Sequence, residues 1–380
     1  MPEVELDRLQ ARLAGLGRPY TPLDVAASLR GMGIVVTDAT VHEVLAELRR
    51  HSIGAGPLEE LLGRPGVSDV VVNGPRDVFV DTGGGLERAE VSFVDEEQVR
   101  RLAIRLAGAV GRRLDDASPF VDGRLASGVR LHAVLAPVAA PGTCISLRVP
   151  ASRSFSLTDL VESGSIPAEG DRLLRSIIAR RVPFLVSGGT GTGKTTLLAA
   201  MLALVPATER VVLVEDAREL VPAHPHCVRL EARPANAEGV GAITLTTLVR
   251  QALRMRPDRV VLGEVRGAEL TDLLTALNTG HEGGCGTVHA NSVRDVPARL
   301  EALAALGGMG RDACHAQVAA ALRVVIHVVR DPGGGRRVAQ VGVFHRGPDG
   351  LVEILPGATM TRSGLDFGEG AGLLRAAVGW

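Results

Sequence analysis

The sequence predicts an α/β protein of several domains, and three observations predict it. The first is Gly188-Gly189-Thr190-Gly191-Thr192-Gly193-Lys194-Thr195, set between the apolar run Phe184-Leu185-Val186 and the helical run Leu197-Leu198-Ala199-Ala200-Met201-Leu202. The second is a series of near-continuous aliphatic stretches after it, at 211–214, 260–262, 324–329 and 338–344, separated by helical patterns. Together with 184–187 they read as strands buried on both faces, as in a RecA-like, mostly parallel sheet. The third is a different texture upstream. Over 53–150 short alternating runs mix with one amphipathic helix, which reads as a separate α+β domain.

The first stretch carries the chemistry. It matches G-x-x-x-x-G-K-[ST] in the strand–loop–helix setting that the match requires. Glycines let consecutive main-chain N–H groups turn inward as an anion nest, and the following helix adds its positive dipole end. Residues 188–196, closing with Thr195 and Thr196, are therefore expected to bind nucleotide phosphates. Lys194 is expected to reach the β- and γ-phosphates, and the Thr195 hydroxyl to take one position on Mg²⁺. Lys194 is also the sole lysine among 42 basic residues. A chain that otherwise uses arginine makes its exception where a compact ammonium is needed and a planar fork will not serve.

In chain order, residues 1–52 alternate helical patterns with Gly15-Leu16-Gly17-Arg18-Pro19 and Gly31-Met32-Gly33 breaks, and read as a small helical unit. Its apolar positions are Leu6, Leu9 and Leu13, Leu23 to Leu29 in the second segment, then Val41, Val44, Leu45 and Leu48. In 53–150, Val70-Val71-Val72 and Val78-Phe79-Val80 flank the turn Asn73-Gly74-Pro75. A helix over 96–110 takes its apolar side from Val99, Leu102, Ile104, Leu106 and Val110, and strands follow at 128–135 and 143–149. Residues 151–170, rich in Ser, Pro and Gly, read as a linker, 171–346 as the P-loop domain, and 347–380 as a loose tail or peripheral appendage.

Composition narrows the class. At 380 residues and 46% hydrophobic content the chain is globular and long enough for two or three domains. A net charge of −1 and 2% aromatic residues give neither the basic track nor the stacking set of a single-strand binder, which counts against a nucleic-acid translocase. Cys144, Cys227, Cys285 and Cys314 are widely spaced, so no zinc site or disulfide framework is expected. The acidic start and the lack of an apolar run near the roughly 18 residues that span a bilayer predict a cytoplasmic protein, at most peripheral to a membrane.

Three further segments place polar groups where parallel strands end, the edge at which α/β sheets bind ligands. They are Glu215-Asp216 after 211–214, Glu264 in Leu262-Gly263-Glu264-Val265-Arg266, and His281 with His289 across what reads as a glycine-rich turn, 279–291. Phosphoryl transfer to water needs a metal holder, a group that orients the water, and cations for the transition state. Glu264 is the expected water-orienting base and a neighbour of the metal. Glu215 and Asp216 are expected to hold the Mg²⁺ shell through waters, and His289 to sense the γ-phosphate. The acid at 264, with Lys194 and Thr195, argues against a non-hydrolysing regulator.

In order and spacing these segments resemble the secretion-ATPase superfamily: its Walker A, Asp box, atypical Walker B and His box. Asn73-Gly74-Pro75, Gly111-Arg112-Arg113-Leu114-Asp115, Ser118-Pro119-Phe120-Val121-Asp122 and Ser127-Gly128-Val129-Arg130 are similar to the branch that drives Tad/Flp pili and related type II and type IV secretion machines. The resemblance runs from about residue 53 to 345. It implies a hexameric ring, ATP and Mg²⁺ bound between an N-terminal domain and a RecA-like domain, and work done on an inner-membrane platform. It further implies that arginines of the first domain approach the γ-phosphate, which by motif position are Arg130 and Arg148, with Arg266 and Arg256 near the interface. Cys285-Gly286 departs from the family's usual pair and predicts a looser His-box turn.

Overall fold

The computed structural model describes residues 54–150, 155–235, 239–331 and 333–380, and within the first 45 residues 8–9, 12–13, 21–34, 36–37, 40–41 and 44–45. The chain divides into two compact units, 1–150 and 151–380.

In the first unit, helix α1 (Pro22–Gly31) starts at a capping box. The Asp24 carboxylate accepts the Thr21 N–H at 2.7 Å, Thr21 Oγ1 accepts back from the Asp24 N–H, and Pro22 opens the helix with no donor to lose. Val25 and Leu29 pack with Leu9, Leu13 and Val44 in a small core. Leu6 and Leu48, expected to join them, lie outside the described residues.

A six-stranded antiparallel sheet follows, built from β1 (Asp69–Asn73), β2 (Val78–Asp81), β3 (Leu86–Arg88), β4 (Phe120–Arg124), β5 (Arg130–Val134) and β6 (Cys144–Arg148), in the order β3-β2-β1-β6-β5-β4. Helix α2 (Glu96–Ala109) lays Val99, Leu102, Ala103, Leu106 and Ala107 into the same core as Val70, Val72, Leu131 and Ile145. Their spacing of three and four is the helical period. Ile104, expected on that stripe, falls outside the period and stays 39% exposed.

The second unit holds a nine-stranded sheet. Its parallel part is β7 (Phe184–Gly188), β8 (Val211–Glu215), β9 (Cys227–Glu231), β10 (Arg259–Val265), β11 (Cys285–His289) and β12 (Val324–Arg330). Three antiparallel strands extend it: β13 (Arg336–Arg346), β14 (Val352–Thr361) and β15 (Gly364–Phe367). The order is β15-β14-β13-β12-β7-β11-β10-β8-β9. β7 and β8 are buried at every position, as their unbroken aliphatic runs predict. Helices cover both faces, so two cores form, one around Leu173, Ile177, Leu198 and Met201, the other around Leu273, Leu300, Val318 and Phe344.

Two sequence expectations are corrected here. The stretch read as a linker contributes to the core: Ser156 and Asp159 form a capping box that starts helix α3 (Leu157–Glu162), and Leu157 and Ile166 are buried before helix α4 (Ala168–Ala179) begins. The stretch read as a loose tail is strand β14, strand β15 and helix α5 (Ala371–Val378), with Ala358, Met360, Leu374 and Val378 in the main core. Pro356 and Gly357 obscured it. They sit where the β13–β14 register shifts between Val341 and Gly342, an irregularity that tolerates both residues.

Candidate functional site

Adjacent parallel strands in the order β12-β7-β11-β10-β8 end on one edge of the sheet, and that edge collects the charged residues. From β7 the chain turns through the glycine loop into helix α6 (Lys194–Leu202). Gly188 must be glycine, since a Cβ there would strike the carbonyl oxygen of Val328 on β12. Gly193, at φ 94°, supplies the left-handed turn that starts the helix. No side chain caps that start and its first turn carries no acid, which leaves the helix end suited to an anion.

Lys194 is buried, and its Nζ donates to the main-chain oxygens of Gly188 at 3.2 Å and Gly189 at 2.8 Å. Burial lowers its pKa, and the neighbouring Arg266 charge works in the same direction while Glu264 opposes. His289, the last residue of β11, brings Nε2 to 3.5 Å from Lys194 Nζ and to 2.6 Å from Glu264 Oε1. Burial, then the Lys194 charge, hold the imidazole below its ordinary pKa, so it is neutral at pH 7. Thr192 Oγ1 donates to Gly189 O at 3.0 Å and stiffens the loop.

Glu264 lies where the β10–β11 register shifts between Leu262 and Val265. Arg266 Nε donates to its Oε2 at 2.8 Å, while Arg266 Nη1 stands 3.4 Å from Asp216 Oδ2. The other oxygen, Oε1, is buried and close to His289 yet has no aligned hydrogen-bond donor. A carboxylate oxygen in that state can take a water or a metal-bound water. The chain Lys194, His289, Glu264, Arg266, Asp216 thus runs along one edge and fits Mg²⁺–nucleotide chemistry: an ammonium and a bare helix end for phosphates, and hard oxygen donors for the metal.

Glu215, expected beside Asp216 on the metal's waters, is engaged elsewhere. Its side chain is 3% exposed, and Oε1 accepts the N–H groups of Glu219 at 2.8 Å and Leu220 at 2.7 Å. Oε2 is 3.4 Å from Arg229 Nη2. Burial raises its pKa against those bonds. Gly263 makes room for it, since a Cβ there would sit 2.7 Å from Glu215 Cγ.

His281 and His289, read as partners across a turn, are separated by the length of β11. A turn at 282–283 follows His281, buried strand runs from Cys285 onward, and His281 Nδ1 lies 3.2 Å from Ala276 O near the end of helix α7 (Glu269–Asn278). The Cys285-Gly286 pair does not loosen that segment: Cys285 is fully buried, its thiol pushed up to about 12, and a Cβ on Gly286 would meet Leu262 O at 3.0 Å. Arg130 and Arg148 belong to the first unit, where they are register partners on β5 and β6, and Arg148 Nε binds Asp69 Oδ1 at 2.9 Å. Arg256 precedes β10 at a positive φ of 52°.

One element of the site was missed in sequence. Beside the loop lies a cleft of roughly 470 Å³, lined by Phe155, Leu160, Ile166, Thr196, Arg336 and Arg362 among others. Arg336 Nε donates to Gly191 O at 3.0 Å, so strand β13 braces the tip of the glycine loop. Gly333-Gly334-Gly335-Arg336-Arg337 was a visible signal, but only the sheet order brings it to residue 191.

Comparisons with known proteins identify the family. The family model for the type II/IV secretion system protein matches residues 51–350. A putative conjugal transfer protein of Mycobacterium tuberculosis is 57% identical over 320 residues, which cover 82% of this chain and 91% of that one. Type IV secretion system protein PtlH of Bordetella pertussis is 31% identical over 325 residues, covering 77% and 94%. Among solved structures, the pilus retraction motor PilT with bound ADP superposes with TM-score 0.53 at 22% identity, covering 77% of this chain and 80% of that one. The Legionella pneumophila ATPase DotB gives TM-score 0.53 at 20% identity, covering 75% and 78%. These two likenesses speak to the fold alone. A match across most of the chain makes this protein a member of the type II/IV secretion system protein family, within the secretion-ATPase superfamily.

Proposed function

We propose that the protein is an ATP-hydrolysing motor that acts as a hexameric ring on a membrane platform at the cytoplasmic face, driving Tad/Flp-type pilus assembly or a related type II/IV secretion machine. The observation that carries this reading is the Lys194–His289–Glu264–Arg266–Asp216 chain, with one Glu264 oxygen still without an aligned donor. In this reading residues 188–196 wrap the phosphates, and Lys194 exchanges the carbonyls of Gly188 and Gly189 for β- and γ-phosphate oxygens. Thr195, Asp216 and Glu264 hold Mg²⁺ and its waters, and the ion supplies charge neutralisation. Glu215 acts by fixing the loop that carries Asp216 rather than by facing the metal.

Glu264 Oε1 orients the attacking water and accepts its proton, while neutral His289 faces the γ-phosphate beside Lys194. Arg130 and Arg148 are assigned to the transition-state charge, supplied from the first domain of the same or a neighbouring copy. The base and ribose are assigned to the cleft beside Phe155, Leu160 and Arg336. Among the described residues no helix is long and apolar enough to cross a membrane, in keeping with peripheral attachment to a platform. The conjugal-transfer name of a relative brings nucleic acid forward as a second cargo. A net charge of −1 and 2% aromatic residues favour a protein cargo.

The test is Mg²⁺-dependent ATP hydrolysis across a protein-concentration series, with Glu264→Gln alongside. Specific activity that rises with concentration in the wild type and vanishes in Glu264→Gln is the expected result. Tight ATP binding without turnover in assembled wild type would overturn the reading and leave a nucleotide-binding regulator.

A further inference from the structure

His327 interrupts the apolar run Val324-Val325-Ile326-His327-Val328-Val329 of β12 and is 5% exposed. It stands in register with Ser187 of β7, and its Nδ1 lies 2.9 Å from Ser187 Oγ inside the core. The main chain of Asn291, past the end of β11, also faces the ring and favours a proton on it. With Nδ1 on Ser187, Nε2 is the nitrogen left to face Asn291, and in the tautomer protonated there Nδ1 accepts the Ser187 hydroxyl. Burial lowers the pKa of the ring, so this neutral tautomer is the resting form.

The two contact points are not arbitrary. Ser187 immediately precedes Gly188, the first residue of the phosphate loop, and Asn291 follows His289 by two residues. Gly188 and His289 are register partners across β7 and β11, and the Val328 carbonyl closes against Gly188. One imidazole therefore ties β12 to the root of the loop and to the main chain just beyond His289. An aliphatic residue would fill the same volume without any polar desolvation, so the core gains nothing from a histidine here. What the histidine adds is direction: its two bonds define one relative position of the loop and of the His289 strand end.

We propose that His327 is a positioning residue that sets the distance of His289 and Glu264 from the phosphates held by Lys194, through Ser187 and Asn291 and without touching substrate. This rests on the proposed ATPase reading. A displacement of about 1 Å at a reacting centre costs up to roughly 100-fold in rate. The effect therefore falls on kcat, while phosphate binding through the loop's own N–H groups persists.

The experiment compares the full-length wild type with His327→Leu, His327→Gln and Ser187→Ala. It measures kcat and KM for Mg²⁺–ATP, the Kd of a fluorescent ATP analogue, melting temperature, and amide exchange over 188–195 and 289–292 against 69–81. His327→Leu is expected to lower kcat about 10- to 100-fold while the analogue's Kd stays within about threefold. His327→Gln, which restores one donor and one acceptor, is expected to recover part of the loss. A folded His327→Leu protein with wild-type kcat overturns the proposal. Should His327→Leu fail to fold, wild-type kcat in both His327→Gln and Ser187→Ala overturns it instead. A wild type that binds ATP without turnover sinks the motor reading, and the positioning role is then read from exchange: faster exchange of both segments in His327→Leu supports it, and unchanged exchange overturns it.

Discussion

The nine-stranded sheet carries a charge cluster at each end of its parallel strands, largely sealed at one and half-open at the other, and the two are built from similar groups with opposite results. At the amino edge, Arg259 donates through Nε to Glu209 Oε2 at 2.7 Å and through Nη2 to Ile178 O at 2.9 Å, while Arg181 Nη2 holds the other Glu209 oxygen at 3.0 Å. Burial would push the Glu209 carboxyl up, but the two guanidiniums hold it below its ordinary pKa. At the carboxyl edge, burial wins at Lys194 and at His289, and both pKa values fall. Pairing prevails at Glu209 and, on the carboxyl edge, at Arg266, whereas desolvation prevails at the two groups that would meet a phosphate.

Each cluster also keeps a polar atom without an aligned partner, and the surroundings decide what that means. Arg259 Nη1 is sealed: the residue is 1% exposed and a Cβ on Gly283 would press against Nη1 at 3.0 Å. Glu264 Oε1 belongs to a side chain 19% exposed beside a half-exposed histidine. The first has no room for a ligand, whereas the second, itself buried, is covered on one side by a histidine that is open to solvent. Charge alone therefore identifies neither edge.

The largest expected effect separates the two edges outright. Arg259→Met leaves Glu209 with Arg181 as its remaining cation and strands a buried carboxylate, so urea unfolding is expected to lose about 3 kcal/mol, the low end of the 3–5 typical of a broken buried pair. The Arg259→Met/Glu209→Leu double variant is expected to regain most of it, and KM for ATP to stay unchanged in both. A changed KM would tie the amino edge to nucleotide binding and break the comparison. Glu264→Gln is the counterpart: a kcat loss of about 10²–10³-fold with equilibrium ATP binding and melting temperature retained. A melting temperature that falls with activity would make Glu264 a second strut.

How much of this was legible in sequence follows the same division. The phosphate loop is one contiguous segment, and Asp216 and Glu264 close apolar runs, so consecutive residues sufficed to find them. The period of two along a strand was available and unused at 215–216, where neighbouring carboxylates serve different neighbours. Glycine was an uneven guide: Gly283 does sit in a turn, but Gly286 lies inside buried β11, and Gly357 with Pro356 hid a strand behind an irregularity. Arg336 at the tip of the loop and His327 on Ser187 are contacts across 145 and 140 residues. Only the strand order makes them neighbours, and no local pattern encodes that order.

A smaller effect sharpens the assignment of Glu215. If its carboxylate chiefly holds the loop at 219–220, Glu215→Ala orphans two main-chain donors, one of them on buried Leu220, and urea unfolding is expected to lose about 1–3 kcal/mol. Glu215→Gln, whose amide oxygen still accepts both bonds, is expected to keep that stability. Equal losses in the two variants would show that the charge, held against burial by Arg229, is what matters.

The smallest effect is the pH dependence of His289, and it tests the contrast at its narrowest point. The folded pKa lies below the ordinary value near 6.5, so the unfolded chain takes up the proton first as pH falls. The stability associated with a neutral His289 is therefore complete above about pH 6.5, declines below it, and levels once the folded pKa has been passed. His327 shifts in the same direction, so the quantity to measure is the difference between wild type and His289→Gln, as urea midpoints at several pH values between 7.5 and 5. The expected difference shrinks in favour of His289→Gln on the acid side. A difference that grows in favour of the wild type there would mean that the Glu264 carboxylate outweighs burial and the Lys194 charge. His289 and Glu264 would then form a closed ion pair like Arg259 and Glu209, with no oxygen left over for a water.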